Sequence, residues 1–417
     1  MEMHIEEISM GLAIEFCGIN FPNPFTLASS PATTTGEMIM RGFAAGWGGA
    51  VTKTIGPPGE HIANVSPRFA ALHAGKKRMY GFENIELISD RTLEIWLEEC
   101  RIIKDRYPDR VLIASIMAAG DAQADWQELT SRLQDAGCDM IECNLGCPHG
   151  MPERGMGAVC SQNPEITANI TKWVTDVAKV PVIVKLSPNI TDITLPALSA
   201  RARGAAGVSA INTVNVLLGI DIETFSPLPT VAGKTAYGGY SGPAVRPIAL
   251  KMISDIARKM PGFPLSASGG IAGWQSAIEF LLVGARNLQV CTAVMLHGFG
   301  VLKPMLRGLE NYLERHGFTR PEQIVGLALT KIVEHSRLDP SYRPKALIDA
   351  INCVRCDMCY VACADAAYQA IEILHERFAP VSERRVPIVH LDRCTGCSLC
   401  AHVCPADSIA IKEVKES

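Results

Sequence analysis

From about residue 24 to residue 316 the chain alternates two kinds of apolar pattern. Short β-rich runs (PFTLASS, GAVTKT, VLIASI, MIECNLG, PVIVKLS, GVSAINT, PLSASGG and NLQVCTA) are mostly apolar, as strands covered on both faces are. Between them lie stretches such as DWQELTSRLQDAG and ALKMISDIARKM, whose apolar residues recur at helical spacing. Eight strands alternating with helices in just under 300 residues predict a parallel (β/α)8 TIM barrel. A doubly wound open sheet is the rival, but it seldom needs eight units. The preceding GLAIEFCGINFPNPF predicts a β-hairpin that turns at Cys17-Gly18 and plugs the barrel's lower end. The barrel domain is thus expected over residues 1–316, a linker over 317–346 and a small second domain over 347–417.

Polar and glycine residues gather where the strands end: Ser29, Lys53-Thr54, Asn144, Lys185, Asn212-Thr213, Gly269-Gly270 and Thr292. In a barrel these tips converge on one mouth, where active sites of this fold lie. One polar residue at a strand end is usually a loop starter, but a residue on seven strands is harder to dismiss. Two long loops, residues 55–90 and 147–162, are expected to overhang the mouth.

Composition removes several function classes. A net charge of −4 without basic runs argues against a nucleic-acid partner. No apolar stretch approaches the length of a membrane span. The acidic start, MEMHIEEISMGLAIEF, does not read as a signal peptide. Fifteen cysteines are present, and eight of them form two runs of C-x2-C-x2-C-x3-C. The first is Cys353, Cys356, Cys359 and Cys363; the second is Cys394, Cys397, Cys400 and Cys404. This spacing wraps [4Fe–4S] clusters, the fourth Cys of each run serving the other cluster. One cluster is therefore expected on Cys353, Cys356, Cys359 and Cys404, the other on Cys394, Cys397, Cys400 and Cys363. Zinc sites seldom use two four-Cys runs. Ala364 stands where a Pro usually follows the fourth Cys, which removes no ligand. The remaining seven cysteines are scattered, as thiols of a reducing compartment are, so a cytoplasmic location is expected.

Glycines in ASGGI, with QVCTA on the next strand, suit a phosphate at the last two barrel loops. No G-x-G-x-x-G opens a strand-to-helix turn, so a dinucleotide has no visible Rossmann seat. FMN fits better, since a flavin exchanges single electrons with clusters and hydride with an organic substrate. Lys53 and Lys185 end apolar strands where an unpaired ammonium would be costly. Lys185 is expected at the flavin's pyrimidine edge and Lys53 near its O4/N5 edge. In ECNLGCPHGMPERGMGAVC two thiols are candidates for acid/base work, Cys147 and Cys160; only Cys147 sits at the strand's end. Gly150, Gly155 and Gly157 suggest a mobile lid, to which His149, Glu153 and Arg154 add polar groups.

The segments FPNPFTLASSPATTT, GAVTKT, GFENIELIS, ECNLGCPHGMPERGMG, KLSPNITDI, AINTV, YGGYSGPAVRPIAL, SASGGI and LQVCTAV, with both Cys runs, resemble the dihydropyrimidine dehydrogenase family. The likeness covers essentially the whole chain. It implies a barrel of the dihydroorotate dehydrogenase type joined to a C-terminal two-[4Fe–4S] ferredoxin-like domain. By that resemblance Ala28, Ser29, Lys53, Thr54, Asn144, Lys185, Ser241, Gly242, Gly269, Gly270, Cys291 and Thr292 would line FMN. Asn84, Glu86, Ile88, Asn144, Asn212 and Thr213 would bind uracil or thymine, and Cys147 would be the general acid. Gly146 departs from the family's long form, which has a Ser there. The implied activity is reduction of the pyrimidine C5=C6 bond. Electrons would come from an FAD- and NAD(P)H-binding partner subunit, with a heterotetramer as the expected assembly. A dihydroorotate-type or other cyclic-amide oxidoreductase is the rival enzyme, although dihydroorotate enzymes carry an Asn at the position of His149. An electron-transfer subunit with an inactive barrel is the non-enzymatic rival.

Overall fold

The computed structural model describes residues 11–59, 62–74, 78–377 and 379–414, so residues 1–10 of the acidic start lie outside the described residues. Eight strands close into one barrel: Phe25–Leu27, Gly49–Val51, Val111–Ile116, Met140–Asn144, Val182–Lys185, Gly207–Ala210, Leu265–Ala267 and Asn287–Val290. Each pairs in parallel with the next, and the last returns to the first. The expected (β/α)8 TIM barrel is the observed fold. The strands form because their apolar runs are buried on both faces, and amphipathic helices cover the outside. Helix starts are marked by side-chain caps: Thr92 caps Leu93–Arg106, and Asn163, ahead of Pro164, caps Pro164–Thr175.

Three fully buried tryptophans anchor the helices, and each indole N–H has an acceptor. Trp47 donates to the Phe299 carbonyl, Trp96 to Ser89 and Trp126 to the Ala119 carbonyl. A large apolar side chain so buried contributes about 1.5–3 kcal/mol, and an unpaired N–H would offset much of that. The hairpin Ile14–Phe16/Ile19–Phe21 turns at Cys17 and Gly18, both at positive φ. Its Ile14, Phe16 and Phe21 pack with Val51, Val111, Met140 and Ile183. Val111 and Met140 open their strands, so the hairpin seals the N-terminal end and leaves the other end as the mouth.

Two expectations about segments differ from the structure. Residues 55–90 are not simply a loop: Phe69–Ala74 and Arg78–Asn84 form a hairpin within a four-stranded antiparallel sheet. Gly238–Ser241 and Val214–Val216 complete it. Those partners lie far away in the chain, so no local pattern announces them. The chain also divides into compact units between Ile332 and Val333, inside the stretch expected as a 317–346 linker, whose first half goes with the barrel unit. Ile324 is fully buried, and the N–H groups of Gly326 and Ala328 donate to Leu281 and Leu282. A few isolated contacts hold this stretch, which is why it carries no helical or strand period. At its far end Lys345–Ile348 is already a strand, paired with Ile409–Lys412.

The second unit repeats one order twice: a Cys run, a helix, then a strand. The helices are Met358–Ala366 and Leu399–His402, and the strands are Ile371–Glu372 and Ile409–Lys412. Its buried core is small, comprising Ala346, Cys359, Cys363, Ala370, Ile371 and Cys400.

Candidate active site

The mouth opens on a polar layer inside the barrel that sequence reading missed. Glu142, on the fourth strand, is fully buried. One of its oxygens accepts from Ser209 at 2.9 Å and Gln289 at 2.8 Å; the other faces the Lys185 ammonium at 3.5 Å. Four strands thus meet at one carboxylate, which gives the buried Lys185 side chain an ion-pair partner in an otherwise costly position. An acid inside the wholly buried strand MIECN was the available signal.

Above this layer the strand-end residues hold one another. Asn144 donates to Thr54 at 2.8 Å and accepts from Asn212 at 2.9 Å and from the Gly146 N–H at 3.2 Å. Thr54 also lies 3.0 Å from Ser115 and 3.3 Å from Ser29. Asn144 is therefore largely committed to its neighbours, and Asn212 is oriented through it. Lys53 makes an ion pair with Glu86 at 2.5 Å, and Arg68 reaches the other Glu86 oxygen at 3.2 Å.

Two adjoining hollows occupy the mouth. The first, of about 750 Å³, is lined by Ala28, Ser29, Lys185, Ser241, Gly242, Gly269, Gly270, Cys291 and Thr292, nine of the residues expected around FMN. Tyr240, Pro243, Ile211 and Gln289 join them without having been foreseen. The second, of about 660 Å³, is lined by Asn84, Glu86, Ile88, Asn144, Asn212, Thr213 and Cys147. Lys53, Thr54 and Asn144, expected on the flavin side, line only this second hollow. Lys53 is drawn there by Glu86. Ser29, Lys185, Asn212, Thr213, Ser241 and Cys291 border both, so the two spaces are continuous.

The first hollow fits FMN. Gly269 and Gly270 adopt positive φ, and a Cβ on either would strike Ala249 or Arg246 at 2.7–2.8 Å. Only glycine lets the backbone pass there, as a phosphate cradle requires. At the other end the buried Oε1 of Gln289 has no partner, and it suits the imide N–H of a flavin beside the Lys185 cation.

Cys147 borders the second hollow, and its thiol donates weakly to the His149 carbonyl at 3.5 Å. Burial pushes the thiol above its ordinary range, and Lys53 and Lys185 pull it partly back. Cys160 is fully buried, borders neither hollow, and is pushed up to about 12 by burial. His149 is also in the second hollow; its Nε2 meets the Glu86 carbonyl at 2.9 Å, its Nδ1 has no partner, and burial holds its pKa down. Glu153 and Arg154 are exposed and line neither space. The lid's glycines serve shape: a Cβ on Gly157 would lie 2.6 Å from the Cys147 carbonyl, which accepts from Ala158 at 2.9 Å. Met151 and Met156 then pack with Ile88 and Met117 as a dry wall.

In the second unit, Cys353, Cys356, Cys359 and Cys404 line one hollow of about 290 Å³. Cys363, Cys394, Cys397 and Cys400 line another of about 350 Å³. These are the interleaved sets expected from spacing. Among the described residues no three His, Cys, Asp or Glu groups converge to hold a single metal ion. The thiols ring each space rather than meeting at a point, which suits a cube with iron at its corners.

The dihydroorotate dehydrogenase family profile matches residues 11–313, and a 4Fe-4S dicluster domain matches residues 346–411. The chain belongs to the dihydroorotate dehydrogenase family, and it is an oxidoreductase that carries FMN and two [4Fe–4S] clusters. Within that family it is 42% identical over 411 residues to the NAD-dependent dihydropyrimidine dehydrogenase subunit PreA of Escherichia coli (strain K12), spanning 98% of this chain and 97% of that protein. It is 41% identical over 337 residues to the chloroplastic dihydropyrimidine dehydrogenase (NADP(+)) of Arabidopsis thaliana, covering 78% and 79%. It is 39% identical over 319 residues to the catalytic subunit of dihydroorotate dehydrogenase B (NAD(+)) of Pyrococcus abyssi, covering 76% of this chain and 99% of that protein.

Proposed function

We propose that the chain reduces the C5=C6 bond of uracil and thymine to the 5,6-dihydropyrimidines. The observation that supports this most is the meeting of Cys147 with the amides of Asn84, Asn144 and Asn212 and with Thr213 around one hollow beside the flavin space. A pyrimidine ring alternates C=O and N–H, which side-chain amides match as donor and acceptor; Asn144, committed to its neighbours, orients Asn212 toward the hollow. Asn84 donates to the Gly239 carbonyl at 3.3 Å, leaving its oxygen for a ring N–H. Glu86, with its charge shared by Lys53 and Arg68, disfavours a carboxylated ring such as orotate. The PreA relative also matches this chain over nearly its whole length, clusters included.

FMN in the first hollow would supply hydride chemistry, and clusters held by the two cysteine sets would supply one-electron chemistry. The chain's residues do the rest. Cys147 stays protonated at neutral pH because burial raises its thiol, and it gives that proton to C5. The ammonium groups of Lys53 and Lys185 then stabilise the thiolate left behind. Met151, Met156, Ile88 and Met117 exclude water from the lid side. The ligand sets are Cys353, Cys356, Cys359 and Cys404 for one cluster, and Cys363, Cys394, Cys397 and Cys400 for the other. A partner subunit carrying FAD collects electrons from NADH or NADPH, since no dinucleotide motif lies in this chain. Among the described residues no helix is long and apolar enough to cross a membrane. A cytoplasmic location belongs to the same proposal and rests on the scattered cysteines outside the two runs.

Cys147→Ala is expected to lower kcat for uracil reduction by roughly 10²–10⁴-fold with FMN absorbance and cluster reduction intact. Near-normal turnover would remove the acid assignment. Uracil, not orotate, should perturb the flavin spectrum of the wild-type protein.

A further inference from the structure

The hydrogen bonds to sulfur in the two cluster hollows match except at one atom. In each half the residue just before the strand donates its backbone N–H to the sulfur of the fourth cysteine. Ala370 does so to Cys363 at 3.3 Å, and Ser408 to Cys404 at 3.4 Å. Both are buried, and they precede the strands Ile371–Glu372 and Ile409–Lys412, so they are equivalent positions. Among the described residues each hollow receives one more such bond, from Ala346 to Cys394 at 3.5 Å and from Arg355 to Cys353 at 3.4 Å. Backbone donation therefore matches in number. The remaining difference is a hydroxyl: Ser408 Oγ lies 3.3 Å from Cys404 Sγ, and alanine offers none to Cys363. A cysteine that ligates iron is a thiolate and can only accept, so the hydroxyl is the donor.

We propose that Ser408 is a positioning residue for electron transfer, whose hydroxyl raises the reduction potential of the cluster on Cys353, Cys356, Cys359 and Cys404. The inference rests on the ligand sets of the preceding subsection. One-electron reduction adds negative charge that spreads onto the ligating sulfurs. A donor aimed at one of them stabilises the reduced state more than the oxidised state. No bond forms or breaks: the electron comes from the reductant, and Ser408 keeps its proton. Nearby charges act on top of this. Lys345 Nζ donates to the Cys394 carbonyl at 2.7 Å beside one hollow, while Asp357, held by His375 and Arg384, stands beside the other. They help set the absolute potentials, and exchanging the hydroxyl leaves them in place.

The test is an anaerobic potentiometric titration of the holoenzyme followed by EPR, with iron and flavin content measured alongside. Ser408→Ala is expected to lower one cluster's midpoint and leave the other, shifting the electron partition about tenfold, or about 59 mV for a one-electron couple. Ala370→Ser should raise the other midpoint by a similar amount, and Ser408→Thr, which keeps the hydroxyl, should hold wild-type values. Unchanged midpoints in a fully loaded Ser408→Ala protein would overturn the inference, and so would equal movement of both. If Ser408→Ala loses iron, the Ala370→Ser arm decides alone: an unmoved midpoint there refutes the idea. A wild-type chain holding fewer than two full clusters would instead remove the ligand sets themselves, and this inference with them.

Discussion

The barrel mouth and the cysteine-rich unit reach a site in opposite ways. At the mouth, residues from all parts of the barrel satisfy one another through Asn144, Thr54 and Asn212 above, and Glu142 with Lys185 below. The polar groups are held by protein partners before any flavin arrives. In the second unit the ligands are local in sequence, but half of the buried core residues are cysteines whose thiols ring hollow space. There the cofactor completes the core. A site held by its own hydrogen bonds survives loss of its cofactor, whereas a site built around its cofactor does not.

Removing iron tests that contrast most severely. Chelation under reducing, anaerobic conditions should abolish the cooperative unfolding transition of the second unit, because metal-binding free energy is folding free energy in such modules. The barrel's transition should persist. Hydrogen exchange would read both: amides of the 345–348 and 409–412 pairing should lose protection, while those of the barrel strands keep it. An iron-free second unit that stays protected would break the comparison.

The next largest effect is expected at Glu142. Glu142→Ala strands the Lys185 ammonium and leaves Ser209 and Gln289 without their acceptor. Breaking a buried pair by removing one partner costs about 3–5 kcal/mol. Urea unfolding followed by a barrel tryptophan should show that loss, with weaker FMN retention. Glu142→Gln keeps the volume and one acceptor for Ser209 and Gln289 but not the charge facing Lys185, so it should recover only the hydrogen-bond part of that loss.

What the sequence reveals divides along the same line. The two interleaved sets of cysteines that line the hollows were legible because spacing alone encodes them. The barrel was legible because each strand carries its own apolar run. Cys147 was legible because it follows a strand end, and the expected pyrimidine-side residues line one hollow with it. Glu142, Gln289 and the four-stranded sheet were not legible. Glu142 becomes meaningful only when Ser209, Gln289 and Lys185, on three other strands, are brought to it. The hairpin over Phe69–Asn84 finds its sheet partner some 150 residues later, at Gly238–Ser241. Lys53 is expected at the flavin edge from its strand position, and its pairing with Glu86, 33 residues on, sets it against the second hollow.

A pH effect on the barrel should be smaller than that of Glu142→Ala. Glu83 is fully buried beside Asn84, and burial pushes its carboxyl up to about 7, with the Leu218 and Gly238 backbone groups pulling back less strongly. The folded chain then binds a proton that the unfolded chain, near 4.3, has already released. Stability contributed by this group is present at low pH and declines as pH rises from about 4.5 through about 7, by up to about 3 kcal/mol. Glu83→Gln mimics the protonated form and should flatten the urea midpoint between pH 5 and 8. A wild-type midpoint that climbs steadily across that window, unchanged in the variant, would rule this out.

The smallest effect concerns Gly146, where the family's long form has a serine. A Cβ at this position would lie 2.5 Å from Asn212 Cβ and 2.8 Å from its Nδ2. Asn212 Cβ sits at the base of its side chain, so the clash is relieved only by moving the residue itself. That motion would strain the bond from Asn212 to Asn144 and turn the amide within the second hollow. Cys147, one residue on, keeps its own contact with the His149 carbonyl. Gly146→Ser is therefore expected to raise KM for uracil about tenfold, a loss of about 1.4 kcal/mol, while kcat stays within about threefold. If kcat rises and KM does not move, the hydroxyl serves the proton path instead, and the mouth is less tightly pre-set than its hydrogen bonds imply.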